Sequence, residues 1–318
     1  MNRPLRLIAL AALVVAGFLL SLAAGKQWLS WGSDAATAIL IELRLPRALL
    51  GAMLGATLGL SGAVLQGFLR NPLADPAVVG VSSTAAFGAV AAILYAGAAS
   101  LGLFVGAMTG AVAAMLLLVA LTWRGADPVA FVLAGTVLAS LAAALTAFMI
   151  ATAPNPYAVA GIIDWMMGAL TDRGLADAAR AAVPMAAGTL LLAGTGRSLD
   201  ALALGEGAAR SLGIDLARVQ ALVVLGTGLV VGAGVAVTGV VGFVGLVVPH
   251  LLRPLFGHRP SDLLLPSALG GAALVLVADG LCRLAPGAAE VRLGVVMALI
   301  GAPFFLALLL RRRGQAWI

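Results

Sequence analysis

Residues able to do chemistry are few in this chain, and they fall into four groups. Arg44 and Arg47 stand three apart in "LRLPR", one turn apart wherever a helix has begun, a spacing that suits anchoring at lipid headgroups. "ADGLCRLAPGAAE" sets Asp279 and Arg283 four apart, so that a lone acid near a membrane boundary has a partner on its own helix face. Residues 65–83, "LQGFLRNPLADPAVVGVSS", place Arg70, Asn71, Asp75 and two prolines between long apolar segments. Residues 199–217, "LDALALGEGAARSLGIDLA", mix Asp200, Glu206, Arg210 and Asp215 with Ala and Leu.

Other patterns are weaker. "GLSG" at 59–62 has the G-x-S-G form of a serine nucleophile, with His250 as its general base. Ser61, however, follows Gly51, Gly55 and Gly59, which recur every fourth residue, as do Gly228 and Gly232. Small residues at that spacing let helix backbones touch in lipid, so these positions are read as packing and no catalytic residue is assigned. His258 in "GHRP" reads as a loop residue, and neither histidine has ligands at metal-binding spacing, so no metal site is expected. A phosphate-binding G-x-x-x-x-G-K-[ST] loop is missing, since "AGKQ" at 24–27 lacks both the first glycine and the hydroxyl. The single cysteine, Cys282, forms no internal disulfide and reads as an inert packing residue.

The elements that must position these groups are membrane helices. The chain is 62% hydrophobic and 10% charged, with a mean hydropathy of +1.12 and 40 glycines in 318 residues, more apolar than a water-soluble core requires. A bilayer core about 30 Å thick asks for roughly 20 apolar residues per spanning helix. Ten such segments are predicted, near 5–24, 47–69, 77–96, 101–121, 129–151, 178–195, 218–239, 241–256, 263–281 and 294–310, giving an all-α polytopic membrane protein. The start has the basic and apolar pattern of a signal peptide, but with so many later spans it is read as an uncleaved first helix. Ten spans put both termini on one side. Placing them in the cytosol divides the 19 basic residues 12 to 7 in favour of that side, so the pI near 10.9 reflects membrane orientation rather than nucleic-acid binding.

Asn71-Pro72 and Asp75-Pro76 cannot continue a helix, because each proline lacks an N–H and pushes its predecessor out of the helical region. The chain must turn at 70–76. Irregular backbone cannot face lipid, so this turn lies at the membrane surface or lines a protein-walled cavity. Residues 199–217 suit short surface helices, with Leu202, Leu204, Ala208 and Leu212 forming an apolar face and Gly213 stopping the helix.

Five blocks in order from about 40 to 310 resemble the permease subunits of bacterial ABC importers for iron-siderophore complexes, haem and cobalamin. They are "LRLPRALLGAMLGATLGLSGAVLQGFLRNPLADPAVVGVSS", "DWMMGAL", "LALGEGAARSLGID", "GVVGFVGLVVPHLLR" and "AAEVRLGVVMALIGAPFF". The resemblance implies a type II importer permease forming one transmembrane domain over 1–318, in the bacterial inner membrane. It also implies a second permease copy, two ATPase subunits that bind the ATP and Mg, and a periplasmic substrate-binding protein; no cofactor is expected in this chain. Arg44, Arg47 and Arg283 match positions that receive the binding protein. The stretch 199–217 matches the ATPase coupling segment, with Leu204, Glu206, Ala208, Arg210, Leu212 and Gly213 as candidates. "GAARSLG" departs from the E-A-A-x-x-x-G coupling motif at its first position, so the glutamate's role is not carried onto Glu206. Asn71, Pro72 and Leu73 match the inner gate.

The rival reading is an ion-coupled secondary transporter, which needs buried acids and broken helices at the midplane. Of thirteen acids, twelve fall in predicted joints or at span ends, leaving Asp279 alone. A proton relay normally needs more than one.

Overall fold

The computed structural model describes residues 2–25, 34–97, 99–122, 128–285 and 290–315. Every regular element among them is helical: α1 (Arg3–Ala23), α2 (Asp34–Ala38), a π-helical turn (Ile39–Arg44), α3 (Leu45–Phe68), a 3-10 turn (Pro76–Val79), α4 (Val81–Tyr95), α5 (Ser100–Thr122), α6 (Pro128–Ala151), α7 (Pro156–Met166), α8 (Leu175–Ala193), α9 (Gly196–Leu202), α10 (Glu206–Ser211), α11 (Leu216–Thr238), α12 (Val244–Phe256), α13 (Pro260–Leu284) and α14 (Leu293–Gln315). Lys26, Arg124 and Asp127, which entered the charge reading, lie outside the described residues.

Seven of these helices are long and apolar enough to cross a membrane, and α4, α12 and the Leu293–Leu308 part of α14 add three shorter apolar ones, in agreement with the ten predicted segments. Two boundaries differ for local reasons. The segment expected from 77 starts as a helix only at Val81, because Pro76 fits the first position of a 3-10 turn that Asp75 caps through Ala77 N–H at 2.8 Å. The segment expected from 47 belongs to a helical run from Ala36 to Phe68, so Arg44 and Arg47 sit well inside a helix and not at its entry.

Within their most apolar stretches, 78% of α3 and of α11 is buried against 11% of α1, which puts α3, α11 and α13 at the centre and α1 at the periphery. The α3–α13 pair makes the most extensive contact. A Cβ on Gly55 would run into the Gly271 carbonyl, and one on Gly59 into the Ser267 carbonyl, so the four-residue glycine spacing does bring two backbones into contact. Ser61 is fully buried in α3, and its hydroxyl donates to the Leu58 carbonyl of its own helix at 3.1 Å.

Helix α12 has 13 residues and is about 20 Å long, shorter than a hydrocarbon core. It follows an irregular stretch at 239–243 in which Phe243 is left-handed (φ 68°). Its first turn sits against α3 and the 70–76 turn, where a Cβ on Gly245 would meet Pro76 and the backbone of Leu58 and Gly62.

Candidate functional site

Two polar assemblies stand out against this apolar background. The first gathers at the end of α1. A helix leaves its last carbonyls without intrahelical donors, and in lipid such groups must find partners. Arg44 donates through Nη1 to Leu22 O at 2.9 Å and Ala23 O at 2.7 Å. Arg283 donates through Nη1 to Ser21 O at 2.7 Å and Ala24 O at 3.1 Å, and through Nη2 to Ser21 Oγ at 2.7 Å. Two arginines from α13 and the π-helical turn therefore cap a third helix.

The counter-charge is Asp279. Its Oδ2 accepts from Arg283 Nε at 3.0 Å and Nη2 at 2.6 Å, so the pairing expected at four-residue spacing is present. Its Oδ1 accepts from Arg47 Nε at 2.9 Å and Nη2 at 2.8 Å, while Arg47 Nη1 reaches Glu290 at 2.8 Å. Side-chain exposure falls from 28% at Glu290 through 11% at Arg47 to 4% and 2% at Arg283 and Asp279, so only the Arg47–Glu290 edge borders solvent. The three sequence candidates are brought together, but in a cluster turned inward onto α1. Asp279 is committed to two guanidinium groups.

The second assembly is the joint between α3 and α4. Asn71 folds the turn on itself, its Oδ1 accepting from Leu73 N at 3.0 Å and its carbonyl from Ala74 N at 3.1 Å. Asn71 is exposed, and Pro72 and Leu73 are half-buried. From the last turn of α3, Gln66 Nε2 donates to Gly245 O at 3.2 Å and, at 3.4 Å, to Ala74 O and Leu246 O. Gln66 Oε1 in turn accepts from Arg253 Nη2 at 2.7 Å. Sequence reasoning missed Gln66 and Arg253. The available signal was the amide itself, since a glutamine inside an apolar helix has to be bonded.

The coupling candidates occupy α9, α10 and their connection. Leu204 and Leu212 are exposed, Ala208 is half-buried and Arg210 is exposed. Gly213 does stop the helix, at φ 79°, with Gly213 N donating to Arg210 O at 2.9 Å and Ile214 N to Ala209 O at 3.0 Å, the paired bonds of a Schellman ending. The apolar face needs one correction: Leu202 is buried, because α9 and α10 are separate helices broken at Gly205 (φ 102°) and do not share one face. Asp200 accepts from Arg259 Nε at 2.7 Å and from Ser261 N at 2.9 Å, fixing α9 to the start of α13. Partial burial pushes the Asp200 carboxyl up, but the bonds from Ser261 and Arg259 outweigh it and hold the group below the usual carboxylate range. Glu206, at the start of α10, accepts from Arg70 Nη2 at 3.1 Å.

Comparison with known proteins covers both assemblies. The sequence model of the FecCD transport family matches residues 7–311. The chain belongs to this family. It is 40% identical over 285 residues to the cobalamin import system permease protein BtuC of Halobacterium salinarum, covering 89% of this chain and 76% of that one. It is 38% identical over 313 residues to the vitamin B12 import system permease protein BtuC of Salmonella arizonae, covering 96% and 94%. Its fold matches, with a TM-score of 0.90 and 32% identity over 97% of this chain, a transporter assigned to the metal-chelate ABC type in an inward-facing conformation. The family match spans the arginine cluster, the joint and the coupling turn together, so this family member is an all-α, multi-pass membrane protein with the type II permease fold.

Proposed function

We propose that the chain is the permease subunit of an ATP-driven ABC importer that moves cobalamin or a related metal chelate inward. The observation that carries this reading is the identity of 38–40%, over 89–96% of the chain, to relatives named as cobalamin and vitamin B12 import permeases. In this reading two permease copies enclose the pathway, and two ATPase subunits bind the ATP and Mg. A substrate-binding protein delivers the chelate, and both termini face the cytosol. Exposed Leu204, in the connection before α10, and exposed Leu212, at the end of α10 that Gly213 stops, offer the ATPase an apolar foothold, with Ala208 and Arg210 on α10 between them. Asn71, Pro72 and Leu73 form the inner gate. The binding protein docks at the outer rim, where Arg47 and Glu290 border solvent, while Arg44 and Arg283 hold the rim in shape through α1.

Ion-coupled transport is disfavoured by Asp279, because a buried carboxylate shared by two arginines has no freedom to carry a proton. The test is uptake into proteoliposomes containing the permease, its ATPase and its binding protein. Labelled cobalamin should accumulate only with internal-face ATP and should be displaced by excess unlabelled cobalamin. A ferric siderophore and haem serve as parallel substrates. Accumulation driven by a proton or sodium gradient without ATP would sink the proposal.

A further inference from the structure

Helices α3 and α10 end in the same way, and the difference between the two endings is informative. In α10 the left-handed position of the Schellman motif is Gly213, the residue that adopts that conformation without a Cβ clash. In α3 the same paired bonds recur, Arg70 N to Gly67 O at 3.3 Å and Asn71 N to Gln66 O at 3.1 Å, but the left-handed position is Arg70, at φ 49°. An arginine there is disfavoured by its backbone alone. Nothing in the turn itself requires a side chain at that position, so the reason for one lies in what the side chain reaches. It reaches Glu206, the first residue of α10, at 3.1 Å.

We infer that Arg70 is a positioning residue for transport: it ties α10 to the gate turn, so that displacement of α10 by an ATPase is delivered to residues 71–76. The inference rests on the proposed docking of an ATPase at α10. On the far side, the turn is bonded onward. Gln66, which supplies the carbonyl that closes the α3 ending, also donates to Gly245 and Leu246 at the first turn of α12 and accepts from Arg253 of the same helix. Pro76 lies against Gly245. Helix α12 then meets α14 through Phe243, whose ring fills the space left by Gly301, and through His250 and Phe304, edge to face at 5.7 Å. This line from α10 to α14 begins with one exposed ion pair. Arg70 and Glu206 are 43% and 31% exposed, so the pair can break and re-form in water, as a moving contact must.

The structure sets two demands that a purely structural arginine does not meet. Arg70→Gly relieves the backbone and should leave the melting temperature of the detergent-solubilised complex unchanged or raised, with the ATPase still copurifying. The same variant should lower the substrate moved per ATP hydrolysed in proteoliposomes by about two- to five-fold, the range set by an exposed ion pair. Arg70→Lys should keep most of that ratio. Glu206→Gln should match Arg70→Gly, and the double variant should be no worse than either single one, since both remove one interaction. A wild-type transport ratio in Arg70→Gly, a fall in its melting temperature, or additive losses in the double variant would overturn the inference. Failure of the wild-type permease to bind any ATPase would instead overturn the reading on which it rests.

Discussion

The arginine cluster and the polar joint are both built on guanidinium groups near helix ends, yet they use them in opposite ways. In the cluster, Arg44, Arg47 and Arg283 make eleven hydrogen bonds among the described contacts, to backbone carbonyls of α1, to Ser21, to the shared Asp279 carboxylate and to Glu290, and water reaches only the Arg47–Glu290 edge. In the joint, Arg70 has a single carboxylate partner among the described contacts and stands in water. Removing a partner from the first leaves a charge stranded at low dielectric, whereas removing one from the second leaves a charge that water accepts. The difference teaches where this fold can move: α1, α3 and α13 are fastened by buried charges, whereas the gate turn and α10 meet through an exposed ion pair that water can replace.

The largest effect should come from cutting the cluster at its shared acid. Asp279→Ala strands Arg283 and half-strands Arg47, and breaking a buried pair in this way costs about 3–5 kcal/mol. It should be read as a lost or strongly lowered melting transition in detergent. A variant that melts within a degree or two of the parent would break the comparison, because the cluster would then be no clamp. Next comes the uncharged seam of the same helix pair. Gly55→Leu forces a side chain onto the Gly271 carbonyl and should cost about 1–3 kcal/mol, while Gly51→Ala, whose Cβ meets only the Leu170, Leu276 and Val275 side chains at 3.3 Å or more, should cost less. Equal losses at the two sites would show that backbone contact is not what joins α3 to α13.

At the joint the expected cost to stability shrinks and the functional effect grows. Leu73 is half-buried, so Leu73→Ala should change stability by about 1 kcal/mol or less, but it should let substrate leak through the assembled complex in liposomes without ATP. Unchanged leakage with normal ATP-driven uptake would reduce the turn to a connector. The smallest stability change should accompany Leu212→Asp, within about 0.5 kcal/mol because the side chain is exposed. Its effect should appear in copurification, where the ATPase is lost from a permease that remains folded. Retention of the ATPase at wild-type stoichiometry would move the docking surface elsewhere.

Much of this was legible in the sequence, and the parts that were not share a cause. Ten apolar segments follow from length and composition, and the joint follows from two prolines that exclude a helix at 70–76, both being local properties of the chain. Gly213 marked the end of α10 for the same reason. The partners of Arg44 and Arg283 were not legible, because they are main-chain carbonyls of α1, and a carbonyl carries no residue type by which to recognise it from 21 or 262 positions away. Leu202 does not join the face expected of Leu202, Leu204, Ala208 and Leu212, because the break at Gly205 resets the helical phase. Arg70 was seen only as a charge. Its left-handed backbone, which gives it meaning, is a property of the folded turn.

The claim that the cluster holds still while the joint moves is tested most directly by amide hydrogen exchange of the permease–ATPase complex, nucleotide-free and then trapped with ATP. The account predicts that exchange changes between the two states in peptides covering 70–80 and 203–214, and stays the same in peptides covering 44–50 and 279–284. Unchanged exchange in the first pair together with altered exchange in the second would contradict it.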